Sequence, residues 1–239
     1  MCMAAIQGDL KLAAHYRDLG MKRAEITENL SIIITAYTFT TCYYQILHDK
    51  EGVRRTTEQA IERYGEEAIK CNWIHKYFYI MHDWAPYEID RSAQTIKEEM
   101  EAGHIGFLSW YTPCLTEAYI HHGQGELAVE LMTKMVNFSA GSGEGCILSI
   151  SYRFLAMAYL SRDGKLTDDS EKYFRLAISQ AREIHADWLE LLGILAFVKQ
   201  APEDAEALLA RGRDLMDGLN GYEANKWFKA AEDVFGVEA

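Results

Sequence analysis

The stretch 115–135, LTEAYIHHGQGELAVELMTKM, constrains the fold more than any other, because it reads as one helix, a tight turn and a second helix. Leu115 and Tyr119 are four residues apart and share a helical face. His122-Gly123-Gln124-Gly125 is the turn, and beyond it Ala128, Met132 and Met135 recur at helical spacing. Small Ala128 lets the second helix approach where Tyr119 reaches across. A hairpin of this kind carries an apolar stripe on each helix and cannot bury both alone, so it requires neighbouring helices.

The rest of the chain supplies them. Apolar periodicity and turn signals predict helices over 7–19, 24–47, 53–71, 73–84, 89–102, 107–122, 125–138, 146–160, 168–184, 187–199, 203–219 and 222–235. Gly20 is read as the stop of the first, and 48–52 as a turn. The run Ile32-Ile33-Ile34 has the β-propensity of a strand, but the length of its segment and the lack of a pairing strand decide for helix. Pro86 ends or kinks the aromatic helix before it. Pro113 kinks its helix or delays its start. The glycine-rich run 141–145 is a break, and Pro202 marks a helix N-terminus. The reading is an all-α chain, a single domain over 1–239, in antiparallel helical hairpins. The pattern begins abruptly at residue 7, as in a fragment that lacks an earlier partner helix.

Charge and cysteine usage narrow the function classes. The formal net charge is −12, which argues against nucleic acid and against an anionic membrane surface, since both need a basic face. Cys2, Cys42, Cys71, Cys114 and Cys146 are scattered, odd in number and without C-x-x-C spacing, as expected of reduced thiols in a cytoplasmic protein. No secretory signal and no apolar run long enough for a membrane span is present.

An internal repeat emerges on comparing hairpins. Leu155-Ala156-Met157-Ala158-Tyr159 echoes Leu115-Thr116-Glu117-Ala118-Tyr119 forty residues earlier. After the second turn, Ser170, Phe174 and Ala177 stand where Ala128, Met132 and Met135 stood. In these residues the chain resembles the tetratricopeptide repeat family: Leu115, Tyr119, Gly123 and Ala128 match its pattern in one repeat, and Tyr152, Leu155, Ala156, Tyr159, Phe174 and Ala177 match it in the next. The best-matched repeats are 107–140 and 146–184. Thr116 and Met135 depart from the family's small residues, and the period exceeds the family's usual value of about 34. With 7–47, 62–73 and 82–102 as degenerate repeats, the order of features resembles the divergent repeat region at the C-terminal end of large bacterial signalling ATPases, some of which carry a cyclase or transcription-regulator module.

This resemblance implies an α–α superhelix of about five helix pairs, a scaffold without an active site or cofactor of its own. In the family, the first helix of each pair lines a concave groove. Register with Tyr119 places Trp110, Glu117 and His121 there, and register with Tyr159 places Arg153 and Met157; Tyr77 and Trp84 join the same side. Aromatic, Met and Arg side chains are common binding anchors. Family members that clamp peptide carboxylates carry Lys and Asn on this wall, where Glu117 and Met157 stand here, so an acidic chaperone tail is disfavoured.

Other candidates carry less. His75 and His82 lie seven apart beside Asp83, but a metal site would need further ligands, and interhelical or surface histidines are the plainer account. His121 and His122 end a helix, where positive charge suits the dipole. The run 141–145 has neither the preceding strand nor the Lys-Ser/Thr of a phosphate loop. The expected function is therefore non-catalytic recognition of a protein or peptide in bacterial signalling, with a homodimer left open. The competing readings are a small-molecule sensor with an aromatic pocket near Tyr77, Trp84 and Trp110, and an acid–base or metal enzyme on His75, His82 and Asp83.

Overall fold

The computed structural model describes residues 1–72, 74–104, 108–142, 145–201, 205–221 and 226–235. Among them are fourteen α-helices and no strand; a single parallel backbone bridge joins Asp9 to Asn220. The protein is all-α. No helix among the described residues is long and apolar enough to cross a membrane. The chain divides into two compact units, one of Met1–Ala5 and Lys11–Leu115, the other of Ile6–Leu10 and Thr116–Ala239.

The first unit holds most of α1 (Cys2–Ile6) and α2 (Leu10–Ile26), then α3 (Leu30–Ile46), α4 (Lys50–Tyr64), α5 (Glu66–Lys70), α6 (His75–Trp84), α7 (Asp90–Glu101) and the first part of α8 (Leu108–His121). Helices α3, α4 and α6 pack on one another, and α7 on α6. Ile34, Tyr37, Val53, Phe78 and Met81 are buried here. The Ile32–Ile34 run is helical, and three elements redraw the predicted boundaries. Gly20 does not stop α2, which continues to Ile26. Asn29 instead separates α2 from α3, its side chain accepting from the Ser31 and Ile32 amides, a strong N-cap. Gly65, at φ 79°, divides the predicted 53–71 helix into α4 and α5, a conformation that residues with a Cβ rarely adopt. Pro113 lies inside α8, which starts at Leu108 and is not delayed by it. Trp73 and Phe107 lie outside the described residues.

The second unit continues from α8 into α9 (Gly125–Ser142), α10 (Gly145–Asp163), α11 (Asp168–Glu183), α12 (Asp187–Val198), α13 (Glu206–Gly218) and α14 (Lys226–Phe235). Each packs on the next from α9 to α14, and α12 also touches α10 and α14. The stripe read from the sequence is buried throughout: Ala128, Met132 and Met135 in α9, Ser170, Phe174 and Ala177 in α11. Gly141 is part of α9, so the glycine-rich break is shorter than expected. Pro202 lies outside the described residues.

Two local devices set this unit's geometry. At Gly125 a Cβ would stand 2.6 Å from the Arg162 amide nitrogen and 2.7 Å from its Cα. The N-terminus of α9 thus meets the end of α10 backbone to backbone. Gly125→Ala should force them apart and cost about 1–3 kcal/mol, the usual range for overpacking, read as a lowered urea midpoint. Thr167 caps α11 in a reciprocal box with Ser170, whose hydroxyl accepts from the Thr167 amide at 2.8 Å. Thr167→Ala should cost about 1 kcal/mol, a smaller shift in the same measurement.

Candidate functional site

The sequence-derived candidates fall in both units, and each unit treats them differently. In the first, Tyr77 and Trp84 are only 5% and 2% exposed, so the expectation that they line an open groove is corrected. The reason is packing. The Tyr77 ring stacks on Tyr111 at 4.8 Å, and its hydroxyl donates to Glu99 at 3.1 Å. Burial and the Glu99 charge push the Tyr77 phenol up to about 12. Trp84 lies edge-on to His48 at 5.4 Å, with the Lys50 ammonium 5.0 Å from its ring centroid. Trp110 is half-buried, and its carbonyl accepts from the Gln45 side-chain amide.

Around these rings runs a sulfur-rich polar core. Gln45 also donates to the Cys114 sulfur at 3.1 Å, Cys114 lies 3.7 Å from the Met81 sulfur, and Cys42 meets the Tyr111 hydroxyl at 3.5 Å. Burial pushes the Cys42 thiol up to about 12, so it stays protonated and unreactive at neutral pH. All five cysteines are free thiols.

The His75, His82 and Asp83 trio is drawn into structural contacts. His75 Nδ1 sits 2.6 Å from the Asn72 carbonyl, at the start of α6. Asp83 is fully buried and held by Arg91 and by the Ser92 hydroxyl at 3.2 Å. Burial opposes its ionisation, but the bonds from Arg91, His82 and Ser92 outweigh it and hold the carboxyl below its ordinary value. Among the described residues no group of three or more His, Cys, Asp or Glu side chains is disposed to hold a metal ion.

The second unit holds the remaining candidates. His121 is exposed at the end of α8, Met157 is half-buried on α10, and Glu117 is 8% exposed. Arg153, half-buried on α10, is the unusual group. Burial pushes its guanidinium down to about 10 against the pull of the Glu117 charge, yet it remains protonated at neutral pH. Its guanidinium also lies 4.9 Å from the ring of the neighbouring Phe154. Desolvated charges in proteins are normally paired.

The sequence reading missed one further cluster. Glu190, fully buried at the start of α12, accepts from Arg182 of α11 at 2.9 Å and from Arg211 of α13 at 3.0 and 2.8 Å. The only signal for it was an acid in the first turn of an otherwise apolar segment. No family model, no curated protein and no solved structure matches the chain.

Proposed function

We propose that the chain is a non-catalytic, tetratricopeptide-like helical repeat that binds a protein or peptide along the face of its second unit bearing Arg153, Met157, Glu117 and His121. The observation that carries this reading is the half-buried Arg153 guanidinium, charged, desolvated and without an ion pair among the described residues. A partner's carboxylate or backbone carbonyl would add a direct hydrogen bond to the Glu117 charge, and charge-assisted bonds to Arg are strong and directional. Met157, one turn on along α10, offers an adaptable apolar contact. The superhelix is supported by the order of packing: α9 to α14 stack in sequence, and α10 and α12, the first helices of successive pairs, also touch. With Tyr77 and Trp84 buried, affinity rests on Arg153 and Met157.

The test is selection from a random-peptide phage library on the wild-type chain, followed by fluorescence anisotropy with the enriched peptides. Arg153→Met should abolish binding while stabilising the fold, by on the order of 1 kcal/mol, because it removes a desolvation cost that the Glu117 charge only partly offsets. Loss of binding with a raised melting temperature separates a binding role from a packing role. Failure to enrich any peptide, with a small molecule co-purifying on native mass spectrometry, would replace this reading by the sensor. An Arg153→Met chain that melts lower would show that Arg153 serves the fold.

A further inference from the structure

Helix α3 of the first unit is uncharged on every side. Its inward arc, which includes Ile34, Tyr37, Thr38 and Thr41, is buried. The opposite arc is Ile32, Thr35, Ala36 and Phe39, spaced i, i+3, i+4 and i+7 as one continuous stripe. Ile32 is 47% and Phe39 42% exposed, and Thr35 and Ala36 between them are half-buried. No charged residue occurs anywhere in the 17 residues of the helix. A solvent-facing arc normally carries charge, and a helix that is apolar all round is normally covered all round.

The cover that the chain gives this stripe stops at one point. Tyr43 continues the same line four residues beyond Phe39; there the Arg17 guanidinium of α2 lies 5.2 Å from its ring, and Tyr43 is buried. From Ile32 to Phe39, two helical turns or about 10.5 Å, the stripe is open. Its one polar group is already bonded within the helix, the Thr35 hydroxyl donating to the Ser31 carbonyl at 2.7 Å. A charged partner therefore finds no counter-charge on α3, and what the stripe offers is shape. The order of sizes is large, small, small, large, and it reads the same in both directions. Laid antiparallel on a copy of itself, about a two-fold axis midway between residues 35 and 36, the stripe sets Ile32 against Phe39 and Thr35 against Ala36, each pair occurring twice.

We propose that the Ile32–Phe39 stripe is a self-association face and that its occupant is α3 of a second copy of this chain, packed antiparallel. The small central pair lets the two axes approach towards the short end of the usual range of about 8–10 Å, and the large side chains close the two ends. Each copy gives the other the same residues, as a closed two-fold contact requires. Ile26 and Leu30 add exposed apolar surface at the turn before the stripe. A contact two turns long is smaller than the roughly 800 Å2 per partner of a standard interface, so the dimer is a reversible one. This face goes beyond the Arg153 reading and draws on none of its residues.

The experiment is sedimentation equilibrium of the full chain over a concentration series. Wild type should show a monomer–dimer equilibrium with a Kd on the order of 10 μM or weaker. Each copy carries a net charge of −12, so the copies repel and added salt should strengthen the dimer. Ile32→Lys and Phe39→Glu should each weaken it at least tenfold, because each buries a charge without a partner. Both positions are exposed in the monomer, so circular dichroism should show each variant folded. Mixed one to one, the two variants should regain the dimer, since the antiparallel arrangement sets the new ammonium against the new carboxylate; in a parallel one they would stand about 10.5 Å apart along the axis. Arg153→Met should leave the equilibrium unchanged. A wild-type chain that stays monomeric well above that concentration would overturn the proposal. So would a dimer that weakens with salt, a folded variant that associates as tightly as wild type, or a mixture that associates no better than its components.

Discussion

Replacing Arg182 and Arg211 together by Ala should cost about 3–5 kcal/mol of stability, the usual price of leaving a buried charge without its partner. Glu190 is fully buried at the start of α12, and these two guanidiniums reach it from the helices on either side. In the double variant the carboxylate must either ionise inside the unit without a counter-charge or take up a proton. The expected result is a melting temperature lowered by roughly 10 °C, on the scale for domains of this size. Each single variant should cost much less than half of that, because one guanidinium still neutralises the carboxylate. Strict additivity of the two singles would show that the arginines act independently and that the shared carboxylate is not the point of coupling.

The same triad fixes a pH dependence. Burial works against the charge on Glu190, but hydrogen bonds from Arg211 and then Arg182 outweigh it, holding the carboxyl below its ordinary value of 4.5. A carboxylate depressed in the folded state contributes stability above its unfolded value, and that contribution is lost as pH falls through the folded one. Wild-type stability should therefore be level from neutral pH towards 5 as far as this group is concerned, and decline below about 4.5. Glu190→Gln should lower the neutral plateau and flatten the acid limb. An acid limb as steep in Glu190→Gln as in wild type would show that other carboxylates govern it, with Asp83 and Glu99 of the first unit, both also held below their ordinary values, as the sources.

Trp188→Ala should be comparably damaging, about 3–5 kcal/mol, as is usual when a large buried aromatic is truncated. Trp188 is the largest of the fully buried side chains and sits in the first turn of α12. From Trp188 to Val198 nearly every residue of this helix is buried, apolar on all sides rather than on one stripe. Helix α12 packs against α10, α11, α13 and α14, so no solvent-facing side is left to collapse into the void. Chemical denaturation of the variant should show a lowered midpoint with the slope retained. A cost below about 1 kcal/mol would mean that the neighbours relax into the space and that the packing around Trp188 is loose.

The helical class and the helix–turn–helix order over residues 115–135 were legible in the sequence because both rest on local rules. Spacing of apolar side chains sets which face is buried, and Ala128, Met132, Met135, Phe174 and Ala177 are all in the core. The strand-like Ile32-Ile33-Ile34 run is helical, as segment length required. Helix ends were less legible. Gly20 lies within α2, where a Cβ would meet nothing within 4 Å, so glycine there is permitted but stops nothing; Asn29 ends the pattern instead through its own side-chain cap. Gly65 looks no different in sequence, yet its positive φ divides α4 from α5.

The candidate site was legible only in part, for a reason that periodicity cannot overcome. A register says which face of a helix a residue occupies, not what lies opposite. Tyr77 and Trp84 share the type and spacing of binding anchors, but Tyr111, Glu99, His48 and Lys50 cover them. Arg153 was read as one groove position among several; that its charge is desolvated and without an ion pair among the described residues depends on every neighbour around α10. Glu190 and its two arginines join three successive helices, α11, α12 and α13, at separations of 8 and 21 residues that no local spacing rule reaches. Secondary structure is written in contacts a few residues apart, which one sequence contains in full. Burial, pairing and desolvation are properties of what the fold brings alongside, and only the tertiary structure decides them.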